Sequence, residues 1–351
     1  MIHADVLSSI DMIRESARGI VSGGDLSRIR GLRYTSPGFS RETWKDMCEL
    51  GWPALRLPEH QGGVGLGMLP YCALAEELGR GLVPEPLIPA ILAASLLKGE
   101  LLAQHLAGEK LVIPAWQDTR DSLTPLDGLN VVDGKVTASK HYVAMAAGAD
   151  AFLVLGASQA VLVAANAPGV SVASSQTQDG GNFATVLFEA APGIVFEADP
   201  QPALSEAALA TAAYLLGLMD SALELTLAYL KTRVQFGKTI GNFQVLQHLA
   251  VDLKLEVEVT RASVEAAALQ RDDEGPTTAS EASISRAKAR ASAAAMKVTR
   301  DCIQLHGGIG FTDEHDIGLF LRKAMVASSQ FGTAGRHRAN FARLKPVKEA
   351  A

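Results

Sequence analysis

The sequence predicts an α+β protein that is mainly α, with an N-terminal helical domain over 1–110, a small central β domain over 111–200 and a C-terminal four-helix bundle over 201–351. Three observations predict it. Helical apolar periodicity occupies both ends of the chain, the centre breaks into short Val-, Ala- and Phe-rich runs separated by turn signals, and 351 residues exceed what one small core organises.

In the first region the helical pattern is interrupted by a Gly-rich loop at 58–67 and by Pro84, Pro86 and Pro89. Between them, 73–79 reads as a helix closed by Gly79 just past its C-cap. In the centre, Asp133-Gly134, Pro168-Gly169, Asp179-Gly180-Gly181 and Pro192-Gly193 punctuate strand-length runs at 152–155, 161–163 and 185–189. The third region opens with 204–232, apolar almost all round through Leu215, Leu216, Leu218, Met219 and Leu223, as expected of a helix buried on several sides. Asn242 is expected to N-cap a second helix that reaches Arg271 and stops at Asp272-Asp273-Glu274-Gly275-Pro276. A third helix over 278–305 places Ile284, Ala287, Ala291, Ala294, Val298, Cys302 and Leu305 on one stripe, and a fourth is expected over 314–345. Four long helices in sequence make an antiparallel bundle.

Bulk properties exclude several classes. A net charge of -6, a pI near 5.8 and the lack of a dense Lys/Arg run leave no footprint for nucleic acid. The N-terminus lacks a charged segment followed by an apolar one, and no uncharged apolar run reaches about 18 residues, so a cytoplasmic protein without a membrane span is expected. Cys48, Cys72 and Cys302 are far apart and read as core thiols, while His306 and His315 lack partners at metal spacing, so no metal is assigned.

Two segments carry the chemistry. Residues 233–250 begin Arg233-Val234-Gln235-Phe236-Gly237 and continue through Gln244, which describes a helix-to-helix corner. Gly237 can take positive φ there, a guanidinium lies just before it, and the next helix's first turn follows, an arrangement that either holds an anion or is a plain helix end with an exposed arginine. Residues 304–316 carry Gln304, His306 and Gly307-Gly308-Ile309-Gly310 at the end of a helix, where backbone can approach a flat ligand or simply cap the helix. No strand precedes these glycines, so this is not a dinucleotide fingerprint of the strand-turn-helix kind.

Together these segments resemble the acyl-CoA dehydrogenase family, which has an R-x-Q-F-G-x-x-I-x-x-F-Q-x-x-Q-x-x-A corner followed by a Q-x-x-G-G-x-G turn. Leu50-Gly51-Trp52, Pro58-Glu59, Gly62-Gly63-Val64-Gly65 and Glu76-Glu77-Leu78-Gly79-Arg80 resemble the same family's helical domain, so the likeness runs through nearly the whole chain. The resemblance implies dimers or tetramers with FAD bound across a subunit interface. It implies that Arg233 and Gln244, with Gln235 and Phe236 of the same corner, contact the FAD pyrophosphate or adenosine of a neighbouring subunit. Gln304 and the Gly307-Gly308 turn would line the same cofactor. It further implies an acyl-CoA substrate, removal of its α-proton by a carboxylate, transfer of a β-hydride to the flavin, and an electron-transfer protein as acceptor.

The pattern breaks at the base. Relatives carry the catalytic Glu in a Y-E-G-T segment that here reads Gln330-Phe331-Gly332-Thr333, and Phe331 cannot accept a proton. Other relatives place the carboxylate early in the first bundle helix, at a position that counts to Ala207, which leaves adjacent Glu206 as the candidate base, a rotation of about 100° away. The centre departs too. The family's T-E-P-x-x-G-S-D-like segment is not recognisable at 115–122, and Lys140-His141-Tyr142-Val143 corresponds to its K-x-[WF]-I strand with Ala144 replacing the next polar residue.

Three functions are therefore weighed. One is a base-lacking subunit of an α2β2 acyl-CoA dehydrogenase acting on a bulky, steroid side-chain-like or branched acyl-CoA. Another is a homomeric dehydrogenase using Glu206. The third is a flavin monooxygenase or a flavin-free structural subunit on the same scaffold.

Overall fold

A computed structural model of the chain describes residues 4–21, 24–119, 122–126 and 128–345. Its helices are α1 (Ala4–Ala17), α2 (Ser27–Leu32), α3 (Arg41–Glu49), α4 (Met68–Arg80), α5 (Leu87–Leu96), α6 (Gly99–Leu106), α7 (Gln201–Thr232), α8 (Gln244–Glu274), α9 (Thr278–His306), α10 (Ile317–Ala327) and α11 (Ala334–Leu344). Its strands are β1 (Val112–Ala115), β2 (Asn130–Val132), β3 (Lys135–Ala144), β4 (Ala151–Leu155), β5 (Gln159–Ala164), β6 (Val170–Gln176), β7 (Asn182–Pro192), β8 (Ile194–Glu197), β9 (Val234–Gln235) and β10 (Lys238–Thr239). The chain clusters into two compact units, one made of Met1–Leu26, Met68–Val83 and Ala208–Ala351, the other of Ser27–Gly67 and Pro84–Ala207.

The second unit holds two four-stranded sheets. One runs β1-β4-β5-β8, with β1 parallel to β4 and the other pairs antiparallel; the other runs β2-β3-β7-β6, antiparallel throughout. Phe152 of β4 meets Phe188 of β7 edge to face at 6.0 Å, so the sheets share an apolar interior. The Asp133-Gly134 turn predicted from sequence is the β2–β3 hairpin, with both residues at positive φ.

The first unit is helical. α9 lies at its centre against α8, α10 and α11, because its small residues, among them Ala287, Ala291 and Ala294, are buried and permit close approach. α4 crosses α7 at two glycines: a Cβ on Gly79 would stand 1.9 Å from the Tyr214 carbonyl oxygen, and one on Gly217 would stand 1.9 Å from that of Glu76. Gly79 is therefore a crossing residue inside α4 and not its stop, a correction to the sequence reading; the left-handed turn after the helix falls on Leu82. Two further expectations are corrected. Asn242 does not cap α8, since it lies in a short 3-10 turn with its amide donating to Thr239 Oγ1, and Phe243 holds the N-cap position without a side-chain bond. The single fourth helix is two, α10 and α11, separated by a loop in which Phe331 and Gly332 take positive φ. By length and composition α7 could cross a membrane, but 83% of its most apolar window is buried by protein.

Candidate functional site

The arginine corner is built on the end of α7. Arg233 donates its amide to the Tyr229 carbonyl at 2.9 Å, and β9 and β10 then form a tight hairpin with Phe236 at φ 53° and Gly237 at φ 77°. Both central residues are left-handed, the turn that matches the twist of paired strands. The Ile240 amide closes the hairpin on the Arg233 carbonyl at 2.8 Å. Arg233, Gln235, Phe236 and Gln244 are all exposed, Phe236 to 92%, and Lys238 Nζ lies 4.3 Å from the Phe243 ring centroid. The first turn of α8, with no side chain capping it, adds the positive end of a helix dipole to this cationic corner.

The glycine turn follows α9. Gly307 at φ 65° ends the helix, and a short 3-10 turn, Gly307–Phe311, carries the chain away. Space around Gly307 and Gly308 is open, whereas a Cβ on Gly310 would stand 2.7 Å from the Ile303 carbonyl oxygen. The first two glycines thus leave a surface that backbone offers directly, and the third lets the turn fold onto its own helix. Gln304 is exposed beside them.

Corner and turn lie side by side. The Tyr229 ring stacks on His306 with centroids 4.5 Å apart and planes at 22°, and His315 packs edge-on to Tyr229 at 6.0 Å. The residue that receives the Arg233 amide therefore also touches the residue before Gly307. Sequence reasoning set the two histidines aside as unsuited to metal and missed this contact, because nothing in their spacing points to a tyrosine in another helix. Among the described residues no group of three or more His, Cys, Asp or Glu side chains is placed to hold a metal.

At the base position the carbonyls do the bonding. The Phe331 carbonyl accepts from His337 Nε2 at 2.8 Å, while buried Lys288 donates from Nζ to the carbonyls of Ser328 (3.1 Å) and Gly332 (3.0 Å) and to Ser292 Oγ (3.0 Å). Burial lowers the Lys288 ammonium from the usual lysine range to about 7, and burial with the adjacent lysine lowers His337 to about 4. Glu206 is in the second turn of α7, where Arg56 donates to both of its oxygens, Nε at 3.2 Å and Nη2 at 2.9 Å, while Arg56 Nη1 bonds the Leu66 carbonyl at 2.7 Å. Ala207 is buried.

In the β unit, buried Lys140 pairs with Asp118 at 2.6 Å and donates to the Leu155 carbonyl at 2.8 Å, and the His141 amide bonds the Gln117 carbonyl. The segment after β1 is thus pinned alongside β3; of the 115–122 stretch singled out above, Arg120 and Asp121 lie outside the described residues. A bulge between Lys140 and Val143 puts Tyr142 at φ 54°, half exposed and edge-on to Phe183 at 6.5 Å.

A helical unit carrying an anion-ready corner against a glycine turn, with a separate two-sheet β unit, is the architecture of a known class of oxidoreductases. Family models for the N-terminal domain of acyl-CoA dehydrogenase match residues 8–104 and for its C-terminal domain residues 200–344, and the chain belongs to the acyl-CoA dehydrogenase family. Acyl-CoA dehydrogenase IpdE2 of Mycobacterium tuberculosis is 30% identical over 316 residues, covering 89% of this chain and 90% of that protein. Acyl-CoA dehydrogenase FadE34 of the same organism is 30% identical over 341 residues, covering 93% of this chain but 46% of FadE34. A solved structure of a variant of the Tcur3481-Tcur3483 steroid ACAD superposes with a TM-score of 0.86 at 27% identity, over 97% of this chain and 98% of that one.

Proposed function

We propose that this chain is one subunit of an α2β2, FAD-dependent acyl-CoA dehydrogenase that desaturates a bulky, steroid side-chain-like acyl-CoA, with a homologous partner subunit supplying the base. The observation that carries this reading is the apolar residue at the base position. Phe331 offers no proton acceptor, and Glu206, the nearest alternative in sequence logic, has both oxygens engaged by Arg56. The Tcur3481-Tcur3483 steroid ACAD, with two components in its name and high structural similarity to this chain, supports a partnered enzyme for a large substrate.

The exposed surfaces fit a flavin dinucleotide. Arg233 and Gln244, flanked by Gln235 and Phe236, suit its pyrophosphate or adenosine, and Gln304 with the open Gly307-Gly308 backbone suits the same ligand. Bound there, FAD would supply the acceptor for the β-hydride and the route for electrons to an electron-transfer protein, while Arg233, Gln244, Gln304 and the Gly307-Gly308 backbone would bind and orient it. The domain limits at 110 and 200 belong to the same reading.

Purification of the chain alone and with its native partner, with flavin counted per subunit, tests it. The pair is expected to be yellow and to bleach on adding acyl-CoA, the chain alone to do neither. A yellow homomer that turns over acyl-CoA removes the need for a partner's base and restores the single-chain mechanism.

A further inference from the structure

The Tyr229, His306 and His315 rings are bound into a joint whose protonation is constrained by its own hydrogen bonds. His306 Nδ1 lies 2.8 Å from the Cys302 carbonyl oxygen, which can only accept, so Nδ1 carries a proton. Its Nε2 is buried without a hydrogen-bond partner. His315 Nδ1 accepts the Ile317 amide at 3.1 Å at the head of α10, so Nδ1 is bare there and the proton sits on Nε2. The centroids of the two imidazoles are 4.5 Å apart.

We propose that Tyr229, His306 and His315 are positioning residues for the cofactor, an acid-sensitive joint that holds the arginine corner and the glycine turn at the separation a bound flavin dinucleotide requires. The inference rests on the reading that those two elements hold the dinucleotide. Tyr229 is connected to the corner through its carbonyl and to the turn through its ring, so a shift of the ring moves both. Protonating His306 creates a buried N–H without an acceptor, and protonating His315 expels the Ile317 amide; either places a cation against the other ring.

The surroundings favour neutrality. Burial, and then the proximity of His315, lower His306 below the ordinary histidine range. The other titratable groups near the joint on these elements include Lys231 and Arg233 at the end of α7, Arg300, Asp301 and Cys302 on α9, the Cys302 thiol being pushed up by burial to about 12, Asp313, which pairs with Arg322 at 3.2 Å, Glu314 and Asp316 before α10, and Lys323 on it. For a histidine whose folded value is depressed, the folded state binds fewer protons, so its contribution is present above about 6.5 and is lost as pH falls below that.

Flavin release from the assembled holoprotein, followed by filtration and absorbance at about pH 7.5 and about pH 5.5, tests the joint. Wild type is expected to release FAD about tenfold faster at the lower pH, His306→Phe to release it at nearly equal rates at both, and Tyr229→Leu to release it about fivefold faster already at the higher pH. A merely structural role would lower the melting temperature without flattening the pH profile. If His306→Phe follows the wild-type profile, the joint is not the acid-sensitive element and the proposal fails, whether or not Tyr229→Leu folds. Arg233→Ala separates the two levels: FAD loss in Arg233→Ala alone overturns the joint and leaves the cofactor reading, whereas full retention in every variant overturns both.

Discussion

Lys288 carries an ammonium into the interior of the helical unit and bonds oxygens of Ser292, Ser328 and Gly332 through its Nζ, so its charge is met by a hydroxyl dipole on α9 and carbonyl dipoles just after α10. Between about 7 and the ordinary lysine value the unfolded chain holds more protons than the folded one, so raising pH across that window stabilises the fold. Urea unfolding of wild type is expected to shift to higher midpoints from pH 7 toward pH 10, and the same series with Lys288→Met to lack that shift; parallel curves would show that the ammonium is not strained by burial. Glu206 is a second residue whose surroundings decide its role. Because Arg56 engages both its oxygens in a partly buried pair, Glu206→Gln is expected to cost about 1–2 kcal/mol of stability while leaving turnover of the assembled enzyme within about threefold. Steady-state kinetics check this, and a loss of several orders of magnitude would make Glu206 the base.

Elements are shaped by close approach as much as by periodicity. α4 and α7 cross at Gly79 and Gly217, where each added Cβ would meet the backbone of the other helix, and backbone cannot step aside as a side chain does. Gly217→Ala is accordingly expected to destabilise the protein by about 3 kcal/mol or more, read as a fall in thermal midpoint, although alanine is the better helix former. A neutral or higher midpoint would mean that the helices separate at little cost. The division of the last helix has a related cause. The 328–333 stretch is bonded through its carbonyls to Lys288 and His337, and these bonds hold Phe331 and Gly332 in left-handed conformations that no continuous helix contains. A helix over 314–345 was expected from sequence; its interruption involves a lysine about forty residues upstream, which local pattern cannot reveal.

For the whole molecule, the exposed apolar residues are informative. Phe236 and Phe311, exposed to 92% and 76%, and Val245, Leu249, Leu255 and Val259 on α8 give the helical unit more uncovered apolar surface than scattered single residues would. On the partnered reading this surface is covered in the assembly. Leu255→Lys is expected to weaken association at least about tenfold by analytical ultracentrifugation while leaving the chain's own unfolding midpoint nearly unchanged. Unaltered association would place the partner elsewhere.

The amino-acid order by itself determined that helical ends flank a strand-forming centre and where the corner and the glycine turn fall. Those properties are local: apolar spacing, turn residues and glycines that permit positive φ act over a few neighbours. Tertiary structure alone decided that Gly79 lies within a helix crossing, that Arg56 reaches Glu206 across 150 positions, and that Tyr229 stacks on His306. Each is a contact between segments far apart in the chain. Its energy comes from packing and desolvation once those segments meet, and no pattern confined to one segment records it.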